Sequence, residues 1–188
     1  MISYDELLSY LNLAATPTER MVHFAALLGK AAKITPDDLI LVGGSAVQFY
    51  TVGEYTSGDI DIVSSSRHRL EGVLKKWRFS KPSRIWLNEE IEMVVDIRPS
   101  PYTGDISRTE LVSTPYGEVR VASLEDLVVS RLVSTKHWKI PGDFDHARLL
   151  SVQEGHRMDW DYIERRAREE FVEDLLKVLR ESVAEPDA

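Results

Sequence analysis

Cysteine is absent from the 188 residues. That absence removes disulfides, thiolate metal sites and cysteine nucleophiles together, and it suits a reducing cytoplasm. Also missing is any apolar run near the roughly 20 residues needed to cross a bilayer. The opening stretch MISYDELLSYLNL has neither the basic segment nor the continuous apolar stretch of a secretory signal. The expectation is a cytoplasmic protein with no membrane partner. Positive charge is scarce too, with 23 Lys and Arg against 31 Asp and Glu and a net charge of −8. This balance argues against a protein that coats nucleic acid non-specifically, because that task sets many cations against phosphates. An acidic enzyme can still handle nucleotides when divalent ions sit between its carboxylates and the phosphates.

At 21.4 kDa the chain is large enough for one domain with a real core, or for one domain carrying a small helical appendage. Ser3 followed by Glu6 caps an amphipathic stretch over 3–15, and Thr16 with Pro17 opens a second helix over 16–34. DLILV (38–42) reads as a short buried strand, and SAVQFYTV (45–52) as a helix that follows the glycines. DIDIV (59–63) alternates carboxylate and aliphatic, the period of a strand with two unlike faces. A helix over 66–79, a hairpin from 83–88 to 91–99 and another over 110–123 complete an αβ part, residues 1–122. From Ser123 the pattern turns helical, with helices over SLEDLVVSRLVSTKHW, over DFDHARLLSVQ and in one run from Asp159, then a tail, AEPDA, that frays. Residues 123–188 therefore form a helical region, and the fold class is α+β.

Asp59 and Asp61 lie two apart on one strand, so both carboxylates leave the same face while Ile60, Ile62 and Val63 enter the core. A third acid, Asp96, ends the run MVVD in a neighbouring strand. Like charges held this close resist burial, and a bound cation is what would compensate them. Three converging acids can hold two Mg²⁺ ions, or Mn²⁺, through oxygen ligands alone. Gly43 and Gly44 let the backbone approach an anion, and the helix that follows offers unpaired amides. Taken alone, the Gly-Gly pair suits a tight strand-to-helix turn equally well, and DIDI suits a solvated edge strand.

Taken together, VGGS, the spacer AVQFYTVGEYTSG, DIDI and the strand ending in Asp96 resemble the pattern of the nucleotidyltransferase superfamily, the fold shared with DNA polymerase β. The chain is similar to the small prokaryotic nucleotidyltransferases, including those related to abortive-infection and toxin–antitoxin systems. The resemblance covers residues 38–98 and implies a mixed, mostly antiparallel sheet flanked by helices, with the helical region forming one wall of a cleft. It implies that Gly43, Gly44 and Ser45 bind a triphosphate, ATP among the candidates. It also implies that Asp59 and Asp61 ligate both metals, and that Asp96 completes one of them and helps activate an acceptor hydroxyl. The activity implied is transfer of a nucleoside monophosphate from an NTP to a protein, RNA or small molecule, with pyrophosphate released. The alternative is a catalytically silent nucleotide-binding or antitoxin-type module of the same fold, with a toxin or antitoxin as partner.

Other residues carry weaker signals. Lys136 and Lys139 in STKHWK suit contact with a phosphate, and they suit equally the dipole at a helix C-terminus; Arg131 stands one turn earlier. Asp143 and Asp145 read as caps of the next helix. The five histidines do not cluster at ligand spacing, and Trp77, Trp86, Trp138 and Trp160 are dispersed as packing residues are. ERRAREE (164–170) reads as the solvated face of a helix.

Overall fold

A computed structural model describes residues 2–184, and the chain divides into two compact units, residues 1–122 and residues 123–188. In the first unit, Ser3 and Glu6 form a reciprocal cap. The Ser3 hydroxyl accepts from the Glu6 amide at 3.2 Å and the Glu6 carboxylate accepts from the Ser3 amide at 2.7 Å, which starts α1 (Tyr4–Leu11). Thr16 caps α2 (Pro17–Ala32) in the same way, with Pro17 at the first helical position. The apolar stripe of α2 buries Phe24, Leu27 and Leu28 completely. It packs beside α4 (Arg67–Lys76), and Phe24 meets Trp77 edge-on with ring centroids 5.8 Å apart. Each such side chain removed from water contributes about 1.5–3 kcal/mol.

Six strands form one mixed sheet in the order β3-β4-β2-β1-β6-β5. They are β1 (Ile40–Leu41), β2 (Ile60–Val63), β3 (Trp86–Asn88), β4 (Met93–Arg98), β5 (Glu110–Thr114) and β6 (Gly117–Val121). The β3–β4 and β5–β6 hairpins and the β1–β2 pair are antiparallel, while β1–β6 and β2–β4 are parallel. This is the mixed, mostly antiparallel α+β architecture that the sequence pattern implies. The parallel β2–β4 pairing sets Asp61 opposite Asp96 and Ile62 opposite Ile97. Alternation then sends Ile62, Val95 and Ile97 into the core and both aspartates to the other face.

Some boundaries differ from the sequence expectation. β1 keeps only two residues of 38–42, because Pro36–Asp38 coil into a 3₁₀ turn. α3 (Gly43–Thr51) takes both glycines into its first turn instead of beginning after them.

In the second unit, α5 (Leu124–Val133) is capped by Ser123 and runs on into a π turn, Ser134–Trp138. α6 (Asp143–Glu154) is preceded by Gly142 in the left-handed region, so Asp143 is its first residue and not its cap. Asp143 is buried and accepts from Arg131 Nη1 at 2.9 Å, with His146 Nδ1 3.3 Å away. Asp145 is exposed in the same first turn, where its charge complements the dipole.

The single helix expected from Asp159 is two helices, α7 (Trp160–Glu169) and α8 (Glu173–Ala184). Phe171 turns left-handed with φ 58°, and the Val172 amide reaches back to Ala167 O at 2.8 Å, which closes α7. Val172 is fully buried at this corner. The tail AEPDA lies, from Glu185 onward, outside the described residues. Among the described residues no helix is long and apolar enough to cross a membrane.

The loop before β1 is tied to the loop after β2 through Asp38, whose Oδ1 accepts from the Ser65 amide at 2.8 Å and its hydroxyl at 2.7 Å. Burial alone would push this carboxyl up, but the donors of Ser66 and Ser65 outweigh it and hold it below the ordinary range. Its contribution is therefore complete above the unfolded value of about 3.9 and fades as pH falls through the lower folded value. Asp38→Ala should cost about 1 kcal/mol at neutral pH. In denaturant melts the deficit should shrink below about pH 4, and a deficit that stays constant into acid would contradict this role.

Candidate active site

The sheet face away from the helical core carries three carboxylates. Asp61 sits in the middle of β2, Asp96 opposite it on β4, and Asp59 one residue before β2 begins. Each offers an oxygen, and the three ligand atoms lie within 4.8 Å of one another. Asp61 and Asp96 are 3% and 1% exposed, and Asp59 is half-buried. Among the described residues this is the one group of three or more metal-ligating side chains close enough to share an ion, and no histidine joins it.

The turn from β1 into α3 wraps Asp61. The Val42 amide donates to Asp61 O at 3.0 Å, and the Gly44 amide donates to Asp61 Oδ2 at 3.0 Å. Gly43 has φ +58°, and a Cβ there would overlap that same Oδ2. Glycine is required twice over at this position, for the backbone angle and for the space. A Cβ on Gly44 would stand 2.6 Å from Ser57 Oγ. Ser45 is fully buried, and its hydroxyl is used inside the protein, donating to Asp59 O at 3.0 Å and accepting from the Asp61 amide at 2.8 Å. Its side chain fixes the spacing of the two acids.

Two arginines complete the site, and the sequence reading passed over both. Arg98, two residues after Asp96 on the same face of β4, sets Nε and Nη2 on Asp61 Oδ1 at 2.9 and 2.8 Å. Its Nε also lies 3.1 Å from Asp96 Oδ2, and Arg84 Nη2 lies 3.0 Å from the same oxygen. These are ion-pair distances without hydrogen-bond alignment, since both Asp96 oxygens are buried with no hydrogen-bond partner. The alternation that placed Asp96 on this face places Arg98 there too, so period-2 reading had the signal for it. Nothing in the sequence marked Arg84, which precedes β3 in a loop. Burial pushes the Asp61 carboxyl above its ordinary value, Arg98 opposes the shift, and Asp59 adds to it. For Arg98, burial works against its charge, but the Asp61 and Asp96 carboxylates outweigh it and raise the guanidinium further.

The remaining expected residues lie in the helical unit. Lys136 Nζ donates to Phe171 O at 2.7 Å and to Asp174 Oδ1 at 2.6 Å, and Lys139 is exposed at the end of the π turn. Arg131 is held in the ion pair with Asp143.

Residues 20–181 match the family model described as "Nucleotidyltransferase of unknown function (DUF6036)". The chain belongs to this family. The chain is also similar to a solved structure described as ANT(2″)-Ia in complex with adenylyl-2″-tobramycin. The likeness has a TM-score of 0.51 and 16% identity, and it covers 78% of this chain and 93% of that one. At that identity the likeness speaks for the shared fold. No curated protein matches the chain.

The donor set also suits a metal. Three carboxylates with no nitrogen or sulfur favour a hard divalent cation, and the buried Asp96 oxygens lack the hydrogen bonds that buried oxygens normally have. Gly43→Ala should both strain the turn and push Asp61 out of place. The variant should melt several degrees lower by calorimetry and bind Mn²⁺ at least about tenfold more weakly, whereas wild-type melting and affinity together would show that the close approach is not needed.

Proposed function

We propose that the protein is a divalent-metal-dependent nucleotidyltransferase that moves a nucleoside monophosphate from an NTP to an acceptor hydroxyl. The observation that carries this reading is the convergence of Asp59, Asp61 and Asp96 within 4.8 Å, beside a turn where glycine alone fits. All three acids and the glycine turn are present together, which favours an active enzyme over a silent module.

Asp59 and Asp61 would hold both ions, and Asp96 would complete one of them. When bound, these ions neutralise the phosphates, lower the pKa of a coordinated hydroxyl and stabilise the leaving pyrophosphate. The chain's own work is placement. The first turn of α3 would offer backbone amides to an anion, while the missing side chains of Gly43 and Gly44 leave room for Asp61 and Ser57. Gly44 already spends its amide on Asp61, so the carboxylate is oriented before substrate arrives. Asp96 would also help activate the acceptor hydroxyl, whose proton leaves as its oxygen bonds to the α-phosphorus and the bond from that phosphorus to the bridging oxygen breaks, releasing pyrophosphate. For Lys136 and Lys139 a contact with phosphate has the sequence resemblance alone behind it, and Lys136 is engaged by Phe171 O and Asp174 Oδ1 within its own unit.

The structurally similar ANT(2″)-Ia is described with an adenylylated small molecule, and a small-molecule hydroxyl acceptor with ATP as donor is the first combination to test here. Pairing with a toxin or antitoxin has the sequence resemblance alone behind it. Wild-type protein, Mg²⁺ and NTPs labelled at the α-phosphate should place label on an acceptor from a cell extract. Asp59→Asn and Asp61→Asn should each lower that transfer by more than about a hundredfold while leaving the fold intact by circular dichroism. Undiminished labelling by either variant would remove these acids from the reaction.

A further inference from the structure

We infer that Arg98 is a displaceable internal counter-cation that holds the divalent-ion site in the metal-free protein and, once displaced, becomes a ligand for a substrate phosphate. The inference rests on the metal-dependent reading above, and it starts from how the acidic oxygens are occupied. Asp61 Oδ2 takes the Gly44 amide, and Asp61 Oδ1 takes two guanidinium nitrogens of Arg98. Asp96 Oδ2 faces Arg98 and Arg84 at 3.1 and 3.0 Å. One guanidinium therefore spans the two strands and occupies the oxygens of Asp61 and Asp96 that a shared ion would need.

The two contacts differ in quality. On Asp61 the guanidinium is forked, two nitrogens on one oxygen, whereas on Asp96 the pairing is by distance alone. The Asp96 side is thus the weaker hold and the point of entry for a cation. Charge favours the exchange, since three carboxylates face two guanidiniums at most, and a divalent ion brings twice the charge of the group it displaces. The fold also leaves Arg98 somewhere to go. Its side chain is 39% exposed and that of Arg84 is 69% exposed, while the carboxylates they cover are nearly fully buried. A released Arg98 stays tethered to β4, two residues from Asp96, with its fork free for the paired oxygens of a phosphate.

The two halves of the inference predict shifts of opposite sign in one variant. In Arg98→Gln the internal competitor is gone, so Mn²⁺ titrated into metal-free protein and followed by electron paramagnetic resonance should bind about tenfold tighter or more. Under saturating Mn²⁺ the same variant should bind a non-hydrolysable NTP about tenfold more weakly. The metal-free variant should also melt below wild type, because Asp61 and Asp96 lose their counter-charge. A merely structural arginine would weaken metal and nucleotide together, and that result overturns the inference, as does unchanged Mn²⁺ affinity.

If Arg98→Gln does not fold, Arg98→Lys and the wild type carry the test. The lysine variant should retain folding and still bind Mn²⁺ more tightly than wild type, because it loses the fork on Asp61. In the wild type, added Mg²⁺ should shift the Arg98 Nε–H resonance and speed its exchange with solvent. A resonance that stays unmoved under saturating Mg²⁺ overturns displacement. Mn²⁺ binding to Arg98→Gln but not to wild type would make Arg98 a counter-cation that the metal does not displace, and that result overturns the inference. Binding to neither overturns both readings, and equal binding to both overturns this one alone.

Discussion

The register of one parallel strand pair governs the site. Because β2 and β4 align Asp61 with Asp96, two carboxylates stand side by side on a sheet whose opposite face is the hydrophobic core. A slip of β2 by one residue would send Asp61 into the apolar layer and bring Ile60 and Ile62 out of it, and the same slip of β4 would do so for Asp96, Val95 and Ile97. The core therefore enforces the register, and the register enforces the acid pair. The glycine turn then packs against Asp61, and Ser45 fixes where Asp59 leaves the strand. Stability and the proposed chemistry share a cause here, since burial of the aliphatic face is what holds repelling charges together.

That arrangement has an electrostatic consequence. Buried acids at this spacing need positive charge, and the metal-free protein supplies it from its own chain through Arg98 and Arg84. Arg98 comes from the strand that carries Asp96, so compensation and ligand travel together on one rigid element. Family membership agrees with a site of this kind. The acceptor, by contrast, is a matter of the surfaces around the acids.

Much of this could be read from sequence because it obeys short periods. Asp59, Asp61 and Asp96 declared their face through alternation with Ile60, Ile62, Val95 and Ile97, and Ser3 and Thr16 announced their helices through local capping. What escaped reading depended on contacts between distant residues or on unusual backbone angles. α7 ends at Phe171, a non-glycine residue at positive φ, so the helical period runs through the break without interruption. That the Ser45 hydroxyl links Asp59 and Asp61 is visible only once the strand and helix are assembled. Asp143 looked like a cap because its partner, Arg131, lies a helix away in sequence. Arg98 was legible by the same alternation that identified Asp96, but a lone arginine after two acids reads as surface charge until the sheet brings Asp61 beside it.

The central claim is that three carboxylates and a glycine turn form a site for divalent cations. Crystals soaked with Mn²⁺ and a non-hydrolysable NTP test it most directly, read by anomalous scattering. The account predicts two manganese peaks about 3.5–4 Å apart among the oxygens of Asp59, Asp61 and Asp96, with phosphate density at the first turn of α3. Clear nucleotide density with no manganese peak, and Arg98 still forked on Asp61, would contradict it.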